Sequence, residues 1–118
     1  MENQAKSKLK RINYIEINGH LGSDPELIET KNGKKVVRFS MAQHYFRNST
    51  KNTSWYTVLA WEEMAQQMLE VLHKGSLVTI KGRLMSRVFK DSSGQTRQAY
   101  EIVAKEFFIE LEAVKQAG

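Results

Sequence analysis

The chain has 118 residues, enough for one ordinary domain, with 41% hydrophobic and 26% charged residues. That balance argues for a packed core over a disordered chain. Cysteine is absent, which excludes a disulfide scaffold, a thiolate zinc site and a thiol nucleophile. No apolar stretch approaches a membrane span, and residues 1–11 carry charge without an apolar run. Neither a membrane anchor nor a signal peptide is expected, and the cytoplasm is the expected setting.

The net charge of +5 comes from 18 Lys and Arg against 13 Asp and Glu, and it is unevenly spread. Residues 31–51 hold Lys31, Lys34, Lys35, Arg38, Arg47 and Lys51 with no acid. Residues 73–97 hold Lys74, Lys81, Arg83, Arg87, Lys90 and Arg97 against Asp91 alone. Acidic stretches separate the two blocks. If the fold brings the blocks together, a polyanion is the natural partner. Taken alone, +5 is ordinary solubilising charge.

Residues 12–21 alternate, with Ile15, Ile17 and Leu21 on one face, and read as a first strand. Gly22-Ser23-Asp24-Pro25 breaks it with turn chemistry. Asn32-Gly33 launches a second strand over residues 34–46, whose apolar face is Val37, Phe39 and Met41. Residues 46–54 are polar and read as a long, flexible hairpin tip. Residues 55–61 form a third strand, rich in aromatic and β-prone side chains. The period then changes. Met64, Ala65, Met68, Leu69 and Leu72 fall at helical spacing over residues 62–73. Glu62 and Glu63 open that helix, His73 and Lys74 close it, and Gly75 is expected as its C-terminal cap. Residues 76–89 form a fourth strand, Asp91 to Gly94 a hairpin turn, and residues 98–111 a fifth strand. In the last strand Tyr100, Ile102 and Ala104 alternate, then Phe107, Ile109 and Leu111 on the other parity, so a bulge is expected near Lys105.

Three strands, one helix and two strands make an all-β chain with a single helix between strands three and four. That order predicts a five-stranded, partly open barrel, the OB-fold. The expected domain covers residues 12–111, flanked by a flexible basic N-terminus at 1–11 and a frayed C-terminus at 112–118.

Strand parity sharpens the functional reading. In the fourth strand Val78, Ile80, Leu84 and Val88 share the expected core face, while Lys81, Arg83, Met85, Arg87 and Phe89 share the other. Core packing does not explain three cations and a ring at one parity. A single-stranded nucleic acid needs that set: cations neutralise phosphates, and flat rings stack on splayed bases. In the third strand Trp55 and Trp61 share the face opposite Val58 and Ala60. One tryptophan alone reads as core; two at one parity beside a basic face read as a base-binding surface. One of Tyr45 and Phe46 is expected to stack and the other to pack. Lys74, Lys90, Arg38 and Arg47 complete the candidate phosphate contacts, whereas Lys31, Lys51 and Lys105 read as solvated charge. His20, His44 and His73 lack metal-ligand spacing, and no Walker loop, G-x-S-x-G or paired-carboxylate motif occurs. No metal, cofactor or catalytic centre is expected.

Several stretches resemble bacterial single-stranded DNA-binding proteins. Residues 17–26 carry G-x-L-G-x-D-P-E, and residues 32–42 resemble the turn glycine and apolar strand that follow it. Trp55 to Trp61 with Met64-Ala65 resembles W-x-x-V-x-x-(aromatic)-x-x-x-A. Residues 72–78 and 80–84 resemble L-x-K-G-S-x-V and I-x-G-x-L, and residues 91–95 resemble the family hairpin. The resemblance runs over residues 12–111. It implies an OB-fold, commonly a homotetramer, that wraps single-stranded DNA without strong sequence preference in a bacterial, nucleoid-associated setting. It implies stacking by Trp55, Trp61 and Phe89, with a further aromatic at Tyr45 or Phe46. It places basic positions on Lys74 and Arg87 and a subunit contact at Tyr56. Glu63, Met85 and Val88 depart from the family pattern, where basic or polar residues are frequent. Family members commonly continue into a flexible linker and an acidic tip; with the sequence ending at Gly118, tail-mediated protein recruitment is not expected. An OB module for protein interaction and a small RNA-binding OB module are the alternative readings.

Overall fold

The computed structural model describes residues 9–110. In chain order it has β1 (Ile15–Leu21), β2 (Glu26–Glu29), β3 (Lys35–Arg47), β4 (Thr50–Trp61), α1 (Glu62–Val71), β5 (Leu77–Lys90) and β6 (Thr96–Ile109). The expected terminal segments and Leu111 lie outside the described residues, apart from residues 9–11.

Five of the strands close a ring. β1 pairs antiparallel with β5, β5 with β6 and β4 with β3, while β6 runs parallel to β4. The ring closes where β1 meets β3, through His20↔Ala42 and Leu21↔Met41. The core is the inner set of alternating positions. Val37, Phe39 and Met41 from β3 meet Val58 and Ala60 from β4, Val78 and Ile80 from β5, and Ile102 and Ala104 from β6. Ala65, Met68 and Leu72 plug it from α1 and its end. Fully burying one such branched or aromatic side chain is worth roughly 1.5–3 kcal/mol, so the strict alternation in the sequence dictates which way each strand faces. The expected bulge is present: Lys81 pairs with Glu106 and Gly82 with Ala104, leaving Lys105 unpaired on β6.

The structure corrects four expectations. First, β2 is a sixth strand. Its four residues are all exposed, and it lies along β3 from Glu26↔Arg38 to Glu29↔Lys35. It is too short to show a period. Second, residues 46–54 are not a long loop. β3 and β4 continue to a two-residue turn at Asn48 and Ser49, whose φ values of 53° and 65° give the type I′ geometry that matches strand twist. Third, α1 ends at Val71 with Leu72 extended, and no basic residue lies in its last turn. Gly75 has φ of 90°, but it serves a separate turn closed by the Ser76 N–H donating to the His73 carbonyl. Fourth, Leu84 and Val88 are 41% and 66% exposed instead of core. β1 leaves β5 at Ile15↔Gly82, so beyond Gly82 no strand among the described residues lies behind the inner face of the β5–β6 arm. At that point the Asn13 side chain replaces the ladder, exchanging hydrogen bonds of 2.8 Å with both the Leu84 N–H and its carbonyl.

Candidate nucleic-acid interface

Register defines one continuous outer surface. Across β3 and β4 the outward pairs are Val36↔Trp61, Arg38↔Leu59, Ser40↔Thr57, Ala42↔Trp55, His44↔Thr53 and Phe46↔Lys51. The parallel pairs Thr57↔Glu101 and Leu59↔Val103 carry this face onto β6. From there Arg83↔Val103, Met85↔Glu101, Arg87↔Ala99 and Phe89↔Arg97 carry it onto β5. Arg38 and Lys51 of one basic block and Arg83, Arg87 and Arg97 of the other thus share one surface across four adjacent strands.

The rings on this surface are open. Trp55 is 61% exposed, Trp61 40%, Phe46 72% and Phe89 37%. The tryptophans stand six positions apart on β4, about 20 Å at ordinary strand rise. The Trp55 indole lies on Gly22, where a Cβ would sit 2.6 Å from its Cζ3. Only glycine permits that approach, so the turn after β1 is a floor for the ring. The same turn anchors Lys74, whose backbone N–H donates to Asp24 Oδ1 at 2.7 Å. Lys74, distant in sequence, is thereby tied to the Trp55 end of the surface.

The candidate cations differ in their surroundings. Arg83 is exposed on the outer face. Arg87 donates to Glu101 at 3.0 Å and lies 5.2 Å over the Phe89 ring. Glu101 is 5% exposed, so its carboxylate sits beneath the guanidinium and offsets its charge. Arg38 is exposed and pairs across strands with Glu26. Lys81 keeps outward parity but lies on the β1 side, 4.0 Å from Glu16 and 5.2 Å over the Phe108 ring. Tyr45, Arg47 and Lys90 have the opposite parity, on the other side of the hairpin arms that extend beyond the barrel. Of the Tyr45 and Phe46 pair, only Phe46 shares the Trp55 face. Tyr56 turns inward and packs partly buried against the core.

At the arm's tip Asp91 organises the turn. It accepts from Arg97 Nε at 2.7 Å, from the Ser93 hydroxyl and amide, and from the Gln95 amide. The Arg97 bond first, then the Ser93 hydroxyl and the Gln95 amide, lowers its carboxyl to about 2. Arg97 is engaged there, at the end of the face.

Sequence reasoning missed His44, Lys51 and Gly22. His44 lay inside the second strand but was weighed only as a metal ligand, and Lys51 fell within the stretch read as loop and counted as solvated charge. Once β3 and β4 are continued to the Asn48 turn, the register His44↔Thr53 and Phe46↔Lys51 puts both on the face of Trp55 and Phe46.

Comparison with known proteins agrees with this architecture. The profile of the Single-strand binding protein family matches residues 12–110. The chain is 35% identical over 113 residues to single-stranded DNA-binding protein 1 of Chlorobaculum tepidum, covering 91% of this chain and 68% of that protein. It is 34% identical over 100 residues to the single-stranded DNA-binding protein of Neisseria meningitidis, covering 80% of this chain and 58% of that one. A chain of the Plasmodium falciparum SSB complex with ssDNA superposes with a TM-score of 0.76 at 24% identity, covering 87% of this chain and 98% of that one. That likeness establishes a shared fold. With the family profile spanning nearly every described residue, the chain belongs to the Single-strand binding protein family.

Proposed function

We propose that the chain binds single-stranded DNA, largely without regard to sequence, and acts by covering the strand instead of by catalysis. The observation that carries this reading is the shared outer face: Trp55 and Trp61 on β4 stand at the same side of one sheet as Arg83, Arg87 and Phe89 on β5. Bases stack on the rings and phosphates meet the cations; each stacked base is worth roughly 1–3 kcal/mol by alanine substitution. Phe46, Arg38 and Lys74 extend the same path, and strands exposed in replication, recombination or repair are the expected substrates.

Assembly belongs to the same proposal. Leu84, Val88 and Tyr100 are exposed on the arm face opposite Arg83 and Arg87, which also carries Lys90. That apolar face supports self-association, with a homotetramer as the expected form and Tyr56 as a residue whose packing affects it. A sedimentation mass of one subunit would overturn the tetramer.

The test of binding is titration with oligo-dT, following tryptophan fluorescence at two salt concentrations with a duplex control. Quenching that weakens with salt and is absent on duplex is expected. Binding that survives Trp61→Ala together with Phe89→Ala would instead favour a protein-interaction module. Preference for RNA over DNA of equal length would favour the RNA reading.

A further inference from the structure

Beyond the pair Ala42↔Trp55 the β3–β4 hairpin leaves the barrel as a free arm. β1 and β2 join β3 only as far as Ala42, and β6 joins β4 only from Thr57, so neither edge of the arm has a strand beside it among the described residues. Five pairs, from Gln43↔Ser54 to Arg47↔Thr50, carry it out about 17 Å at ordinary strand rise. Because side chains alternate, the arm shows two faces. The front face, continuous with Trp55, carries Phe46 and its direct cross-strand partner Lys51. The back face carries Tyr45 and Arg47, two positions apart on β3.

Each face thus sets one ring beside one cation. Tyr45 is 42% exposed and Phe46 more so, and Arg47 and Lys51 are exposed. Among the described residues neither of these cations stands in an ion pair. No Asp or Glu occurs from Lys31 to Trp61, and no Leu, Ile, Val or Met from Gln43 to Ser54. A protein partner needs an apolar centre of several side chains to bury, which neither face offers. A splayed base needs one open ring, and its phosphate needs a cation nearby. Toward its root the back face is closed: the Gln43 side-chain amide donates to the Asn18 carbonyl at 3.0 Å, and Glu16 lines the groove there. Tyr45 and Arg47 lie further out along β3, and the arm itself carries no carboxylate.

Resting on the binding reading above, we infer that the bound strand holds this arm on both faces: it runs over Trp55 and Phe46, turns round the free edge of the arm, stacks a further base on Tyr45 and sets a phosphate against Arg47. The ribbon is one layer thick, and its open edges let a flexible strand pass from one face to the other. The arm thereby lengthens the stretch of DNA covered by each chain without a larger barrel. Tyr45 and Phe46, neighbours in sequence, both stack, on opposite sides.

The experiment is a set of poly-dT titrations over a range of salt, read by tryptophan quenching for nucleotides covered per chain and for the slope of log K against log salt. The Tyr45→Ala, Arg47→Ala double variant should still be quenched but cover fewer nucleotides. Its affinity should fall several-fold, and its salt slope should be shallower by about 0.7, one phosphate fewer. Tyr45→Phe keeps the ring and should keep the natural coverage. If the double variant melts early, Arg47→Gln alone carries the test and should lose the same 0.7 in slope. Natural coverage and slope in the double variant, with quenching intact, overturn the back-face contact and leave the binding reading standing. Coverage lost as fully in Tyr45→Phe as in Tyr45→Ala overturns stacking on that ring. A changed sedimentation mass with coverage and slope per chain unchanged makes the back face a contact between copies and also overturns the inference. Absence of quenching in the natural chain overturns the binding reading and this inference with it.

Discussion

The Trp55 indole rests on Gly22, close enough that one added methyl group would meet the ring at 2.6 Å. The turn after β1 thereby sets the angle of a ring that belongs to β4. Gly22→Ala is expected to tilt the indole while leaving the buried core untouched. Oligo-dT affinity should fall several-fold, within the roughly 1–3 kcal/mol of one stacked base. Unchanged affinity and quenching would show that the ring needs no floor.

Arg87 and Glu101 form the charged contact at the centre of the outer face, at 3.0 Å with the carboxylate nearly covered. Glu101→Gln keeps an acceptor for the guanidinium and removes the opposing charge. The salt slope of strand binding should steepen by about 0.7, one extra phosphate neutralised. Arg87→Ala has a different signature. It leaves a buried carboxylate without its partner and should cost stability on the order of 1–3 kcal/mol. Thermal melting separates the two effects. An Arg87→Ala variant that melts with the natural chain would mean the pair contributes little to folding.

Asp91 gives a pH prediction. Its folded carboxyl is lowered from 3.8 to about 2, so the charged form is the one the turn favours. The contribution is fully present above the unfolded value and is lost as pH falls through the folded one. The tip of the β5–β6 arm should loosen between about pH 4 and pH 2. Carboxyl chemical shifts should titrate near the lower end, and amide exchange at Gln95 should accelerate across this window. Asp91→Asn should show fast exchange at Gln95 already at neutral pH. An ordinary aspartate titration in the natural chain would contradict the bonding described.

Ser49 sits at φ of 65° in a type I′ turn, where an L side chain is strained and glycine is favoured. Ser49→Gly is expected to stabilise the chain by about 0.5–1 kcal/mol. For a domain near 100 residues that corresponds to a rise of several degrees in Tm, roughly 4–8 °C per kcal/mol. A lower Tm would show that the serine makes up for its backbone in some other way. Glu62, with φ of 49° at the junction of β4 and α1, carries the same kind of strain.

Local rules settled much of this molecule from the sequence. Period-two runs placed five strands, period 3.6 placed the helix, and the parity switch near Lys105 located the bulge, because burial of alternate side chains decides all three. The same parity put Trp55, Trp61, Arg83, Arg87 and Phe89 on outward faces. It did not show that those faces form one surface. That depends on β4 running parallel to β6 through Thr57↔Glu101 and its neighbours, a long-range pairing that no local pattern encodes. Nor did parity show that Leu84 and Val88 are exposed, because their alternation matches that of core residues; what is absent among the described residues is a layer behind them. The charge on Arg87 appeared free until the fold put Glu101 beneath it. Periodicity decides which way a side chain points, and only the closed barrel decides what it meets there.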